Sequence, residues 1–133
     1  MDPTELLHSS MPLCATFGMR GLRFDAEAVE VELDWAESLC TSGGLLHGGA
    51  LMALADSAGA ACAFANLPEG AVGTATIESK TNFLGSVREG AVRAISTPLH
   101  VGSSTIVVET ELRASDGRLV AKTTQTQTVL RPR

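Results

Sequence analysis

From Gly48 to Asn66 the sequence carries one charged residue, Asp56, in a run that is otherwise alanine, glycine and apolar side chains. A lone carboxylate in such a run needs a partner or a purpose, because burying it unpaired costs several kcal/mol or forces it to take up a proton. Two readings follow. Asp56 caps or pairs with a polar group on a neighbouring strand, or it serves as a general base or nucleophile in a dry cleft. His47-Gly48-Gly49 opens the same segment. The first amides of a helix have no intrahelical acceptor and lie at the positive end of its dipole, and glycine lets a ligand approach the backbone. Gly48 and Gly49 therefore form either a turn that simply needs glycine or a donor site for a developing oxyanion.

The element that must carry these groups is a long helix. It starts near Gly48 and stops at Asn66-Leu67-Pro68-Glu69-Gly70, where both breakers occur. At 3.6 residues per turn Leu51, Leu54, Ala58, Ala61 and Cys62 share one face. Asp56 lies on another, beside Met52, Ala53, Gly59, Ala60 and Ala63, and all of these except Met52 are small enough to leave room around a carboxylate. Eight residues separate Gly48 from Asp56, roughly 12 Å along the axis, and His47 is about half a turn out of phase with Asp56. One chain cannot bring these groups together around a small substrate group. Two antiparallel copies of the helix in a two-fold dimer can, which predicts a site shared between subunits.

Around the helix the pattern is β. Val29 to Trp35 alternates apolar and acidic residues, and Thr74–Leu84, Ala91–His100, Thr105–Ala114 and Leu119–Leu130 read as further strands. Asp116-Gly117 marks a tight hairpin, and Pro98 places its segment at an edge or a bulge. Asp2-Pro3 starts a short helix through Ser10. Short links between the last four strands predict antiparallel pairing. The expected architecture is α+β, a single domain over residues 1–133 with an antiparallel sheet packed around one helix.

Composition narrows the function classes. A net charge of -5 disfavours nucleic acid and anionic membranes as partners. The helical run has the length of a membrane span, but it is alanine-rich, holds a central Asp56 and lacks flanking Lys or Arg, so it is expected to lie inside the protein. Cys14, Cys40 and Cys62 form no CxxC pair, which argues for free thiols, no metal site and a reducing, cytoplasmic setting without a secretory signal.

The segment Gly44-Leu45-Leu46-His47-Gly48-Gly49, followed by Leu54-Ala55-Asp56, resembles the G-x-x-H-G-G…L-A-D pattern of hotdog-fold acyl-CoA thioesterases of the phenylacetic-acid-degradation (PaaI-like) type. Thr76 to Leu84, the hairpin Ser115 to Lys122 and the tail Thr124-Gln125-Thr126-Gln127 are similar to the same family, so the resemblance runs from about Gly21 to Leu130. It implies a hotdog fold, with a long central helix wrapped by a five- to six-stranded antiparallel sheet. It implies homodimers with a continuous sheet, paired into a homotetramer, and hydrolysis of acyl-CoA without metal or cofactor. Carried over by position, Asp56 is the general base or nucleophile. The partner's Gly48 amide polarises the thioester carbonyl, and Thr76 is a secondary polar group near the carboxylate. His47, Gly49 and Phe83 fall at substrate-side positions, with His47 holding the turn.

Two departures stand out. Thr41 replaces the Asn or Gln often found six residues before the histidine, and Ser42 could share its task of orienting water or the carbonyl. Gly85-Ser86 stands where Arg-Pro is frequent, leaving Arg88 or Arg93 for the CoA phosphates. The competing readings are a hotdog enoyl-CoA hydratase or dehydratase, pairing His47 with Asp56, and a non-catalytic acyl-CoA-binding protein. A serine triad and a P-loop both lack their motifs.

Overall fold

The computed structural model describes residues 1–133. In chain order the elements are α1 (Pro3–Ser10), α2 (Pro12–Thr16), β1 (Arg20–Phe24), β2 (Val29–Asp34), α3 (Gly48–Ala65), β3 (Gly73–Phe83), β4 (Ala91–Val101), β5 (Thr105–Ala114) and β6 (Leu119–Leu130), with two short 3-10 turns between β2 and α3. The six strands form one antiparallel sheet in the order β1-β2-β4-β5-β6-β3. α3 touches all six strands, so the sheet wraps the helix as expected.

The predicted apolar face of α3 is the core face: Leu51, Leu54, Ala58, Ala61 and Cys62 are all buried. They meet alternate residues of the sheet, such as Val31 and Leu33 of β2, Val92 and Ala94 of β4, and Ile106, Val108 and Leu112 of β5. Period-two alternation is what aims these side chains at one face. The apolar length of α3 therefore belongs to a core helix. Its C-terminus is closed by Asn66, whose Nδ2 donates to the Cys62 carbonyl at 2.9 Å and to the Ala26 carbonyl at 3.0 Å.

Three features differ from the sequence expectation. β1 and α2 were not anticipated. β1 is short, contains Gly21 and has a register shift between Gly21 and Arg23, which erases its alternation. Gly21 is needed there because a Cβ would sit 2.6 Å from the Pro3 backbone, where α1 lies on the strand. Finally, β3 and β4 are not a hairpin: β3 is a sheet edge and β4 lies between β2 and β5. The link through residues 84–90 crosses over, and only β4–β5 and β5–β6 are consecutive neighbours among these strands. Pro98 does sit at a bulge, with a register shift between Pro98 and His100, and it lies beyond the last β2 partner of β4, Ser96. Its missing N–H therefore leaves no gap in the β2 ladder.

Candidate active site

Asp56 projects from the middle of α3 toward β3. It is exposed in the single chain. Thr76 Oγ1 donates to Asp56 Oδ1 at 2.9 Å, and Gln125 Nε2 donates to the same oxygen at 3.0 Å. Gln127 Nε2 in turn donates to Thr76 Oγ1 at 2.5 Å. Each donor direction follows from the next: the carboxylate oxygen accepts, so the threonine hydroxyl gives its proton to Asp56 and must accept from Gln127. Two donors fix one carboxylate oxygen, while Oδ2 has no partner within the chain. Asp56 is thus paired with neighbouring strands through Oδ1 and open to solvent through Oδ2.

Gln125 and Gln127 were missed as site residues, although the tail containing them was recognised. They are fully buried, and the Oε1 atom of each has no hydrogen-bond partner. The signal was available. On a strand whose inward positions include Val120 and Ala121, polar residues at the inward positions 123, 125 and 127 break the expected apolar pattern. Gly59 was a second signal. A glycine inside a helix costs roughly 1 kcal/mol against alanine. Here a Cβ would lie 2.1 Å from Gln125 Oε1 and 2.5 Å from its Cδ. The glycine forms the notch through which the Gln125 carboxamide reaches Asp56, one helical turn away.

The other end of the site is built at the start of α3. His47 is the N-cap, and its Nδ1 accepts the Gly49 N–H at 2.7 Å. This matches the turn-holding role and occupies the Gly49 amide, which is then unavailable to a substrate oxygen. The Gly48 N–H has no acceptor in the chain. The Phe83 ring packs over the Gly48 Cα, where a Cβ would be 3.2 Å from Cζ. Half of Phe83 remains exposed.

Thr76 and Phe83 are seven residues apart, so plain alternation would send them to opposite faces of β3. A register shift between Thr76 and Glu78 inserts an extra residue, Ile77, and reverses the parity. Thr76 can then reach Asp56 while Phe83 covers Gly48 and Thr81 bonds the buried Thr123 at 2.8 Å. Bulges of this kind re-aim side chains next to sites.

Thr41 and Ser42 lie on the turn before α3, both exposed, and neither side chain makes a hydrogen bond within the chain. The turn is held by the Thr41 N–H on the Leu45 carbonyl at 2.8 Å, by a Cys40–Leu46 bridge, and by Trp35 Nε1 donating to the Gly44 carbonyl at 2.9 Å. Gly43 and Gly44 adopt φ of 78° and 75°, which suits glycine. Arg88 is exposed beside a polar hollow with Arg118 and Asp116, and it makes no ion pair in the chain. Arg93 makes ion pairs with Glu30 and Glu32 on the outer face of the sheet. No group of three or more His, Cys, Asp or Glu side chains could hold a metal ion.

Comparison with known proteins places this geometry. The family model of the Thioesterase superfamily matches residues 43–121, more than half of the chain and the stretch from the glycine turn through most of the sheet. The chain is 38% identical over 87 residues to 1,4-dihydroxy-2-naphthoyl-CoA hydrolase of Escherichia coli K12, covering 65% of this chain and 63% of that enzyme. Its fold superposes on a thioesterase of Haemophilus influenzae with a TM-score of 0.88 at 25% identity, covering 98% of this chain and 92% of that one. A mutant thioesterase of Pseudomonas aeruginosa gives a TM-score of 0.89 at 26% identity, with 98% and 95% covered. The chain belongs to the Thioesterase superfamily, and its fold is the hotdog fold of those enzymes. The matches span about three fifths of the length of the first curated relatives, 61%, 63% and 59%.

Proposed function

We propose that this chain is a PaaI-like acyl-CoA thioesterase, cleaving a thioester to a free acid and CoA with Asp56 as general base or nucleophile. The observation that carries the reading is the state of Asp56, with Oδ1 held by Thr76 and Gln125 and Oδ2 left free at an exposed edge. As base, Asp56 takes a proton from water while the water oxygen adds to the thioester carbon. The tetrahedral intermediate then expels the CoA thiolate as the C–S bond breaks, and the thiolate takes up a proton. As nucleophile, Oδ2 itself adds to the carbon, thiolate leaves, and water hydrolyses the resulting anhydride. In either case the carbonyl oxygen gains negative charge that needs a fixed donor.

The free Gly48 amide is that donor, contributed by a second copy of the chain. Within one chain it stands eight residues from Asp56 along the helix, too far to share one carbonyl. Two further observations favour a homodimer. β3 is an eleven-residue edge strand with one side of its hydrogen-bond ladder unpaired, and such edges invite pairing. β3 and α3 also carry the exposed apolar side chains Ile77, Phe83 and Met52. β3 of one copy beside β3 of another extends the sheet and sets the two α3 helices antiparallel. A further pairing of dimers gives the tetramer. Thr41 and Ser42, with unoccupied hydroxyls on the turn beside Gly48, orient water or substrate, and Arg88, which makes no ion pair, binds the CoA phosphates. The three free cysteines suit a reducing cytoplasm.

The test is CoA release, followed by chromatography, from phenylacetyl-, hydroxybenzoyl-, short-chain and medium-chain acyl-CoA. Wild type and Asp56→Asn are compared. The reading expects turnover of at least one class and a loss on the order of 100-fold in the variant, a few kcal/mol of transition-state stabilisation. Hydration of an enoyl-CoA without thioester cleavage, or acyl-CoA binding with no turnover, would overturn it.

A further inference from the structure

A cavity of about 320 Å³ lies between α1, the end of β1, the second half of α3 and the start of β3. Seven of its ten lining residues are hydrophobic and none is charged. Leu6 and Met11 form one wall, Phe24 another, and Ala60 and Phe64 the floor on α3. Two relations tie it to Asp56. Ala60 is one helical turn beyond Asp56, and Thr74, on the cavity rim, is two residues before Thr76 on the same face of β3. The cavity thus begins about 6 Å along the helix from the carboxylate.

We propose that this cavity receives the acyl group of the substrate, and that the acyl group is an uncharged hydrocarbon larger than acetyl. The proposal rests on the thioesterase reading and names its substrate class. The lining excludes a dicarboxylate-derived acyl group, because no cation faces the cavity. It also disfavours a polar substituent at the far end. The Ser10 hydroxyl on α1 is committed to the Leu6 carbonyl at 2.8 Å, and the remaining free hydroxyl, Thr74, is at the rim beside the reaction centre. The α1 and β1 walls lie outside residues 43–121, the stretch that carries the superfamily pattern. Selectivity for acyl length is therefore set by the N-terminal helix of this chain. That helix is held rigidly enough to act as a wall: His8 Nε2 lies 2.6 Å from the Met19 carbonyl, and Thr4 Oγ1 accepts the Gly21 N–H at 3.0 Å.

The experiment is calorimetric binding of saturated acyl-CoAs, from acetyl to dodecanoyl, to full-length Asp56→Asn protein, with CoA release by wild type measured in parallel. Affinity should rise about fourfold per methylene until the cavity is full and then level off. Ala60→Leu, which raises the floor, and Ser10→Leu on α1, which narrows the wall, should each move the plateau to shorter chains. Using both guards against a folding defect in one. Affinity independent of chain length, or a plateau that neither substitution moves, overturns the pocket. The two readings fail separately. Asp56-dependent hydrolysis with flat binding sinks the pocket alone. Chain-length-dependent binding that the two substitutions shift, with no CoA release by wild type, sinks the hydrolase and upholds the pocket.

Discussion

Gly59→Ala gives the sharpest check on how Asp56 is held. Alanine in place of a mid-helix glycine ordinarily stabilises by roughly 1 kcal/mol. Here the new Cβ would stand 2.1 Å from Gln125 Oε1. Gln125 is fully buried on β6 and has nowhere outward to move, so its carboxamide must swing off the 3.0 Å bond to Asp56. Losing a hydrogen bond to a charged group costs about 1.5–3 kcal/mol. Net destabilisation of about 0.5–2 kcal/mol is expected, with kcat reduced more than KM because the carboxylate is displaced. In a Gln125→Ala background the obstruction is gone, and Gly59→Ala should recover its ordinary gain. The cycle of the two changes should therefore show a coupling of about 1.5–3 kcal/mol. Urea unfolding at one fixed protein concentration measures it, since an oligomer's stability depends on concentration. Stabilisation by Gly59→Ala in the wild-type background, or a coupling within about 0.5 kcal/mol of zero, would refute the notch.

Burial pushes the Cys62 thiol up to about 11, and burial also raises Cys14 against an opposing hydrogen bond from Ser57. Native protein at about pH 8 should alkylate at Cys40 alone and at all three cysteines in denaturant, read by mass spectrometry; rapid labelling of Cys62 in the native state would contradict its packing. Because the folded Cys62 value lies above the ordinary thiol value near 9, its contribution to stability is complete below about pH 9 and is lost as pH rises toward about 11. Urea midpoints should therefore fall over that interval, less steeply in Cys62→Ala after allowing for its lower baseline. Ile77→Glu places a charge on a side chain 62% exposed in the single chain; sedimentation should show dimer loss together with loss of activity, while a fully active monomer would remove the shared site.

Much of this fold is written in two periodicities. The α3 face of Leu51, Leu54, Ala58, Ala61 and Cys62, and the strands β2 and β5, follow from spacing alone because burial on one side imposes it. β1 was not legible, since its five residues include a glycine and a register shift and it gains stability from α1 packed over it. The crossover between β3 and β4 was misread for a related reason. A seven-residue link is compatible with either a hairpin or a crossover, and which strand pairs with β3 depends on distant residues of β6. In the site, the spacing of Asp56 from Gly48 is the sequence feature behind the proposal that two chains share it. The exposure of Asp56 was less accessible, because it depends on β3 being the last strand of the sheet.

The site residues that sequence reading found least easily share a physical character: each breaks a local rule at some energetic loss. Gly59 weakens its helix by about 1 kcal/mol. Gln125 and Gln127 put unpartnered amide oxygens in the core, at about 1–3 kcal/mol apiece. Ile77 interrupts the β3–β6 ladder. Separately these look like defects of an otherwise regular sheet and helix. Their coordinates converge instead on one oxygen of one carboxylate, with Gly59 admitting Gln125, the bulge aiming Thr76, and Gln127 orienting the Thr76 hydroxyl. A fold under selection for stability alone would repair each of them by a single substitution, toward Ala at 59 or an apolar residue at 125 and 127. Their convergence on Asp56 is the expected signature of a site whose geometry matters more than the few kcal/mol it forfeits.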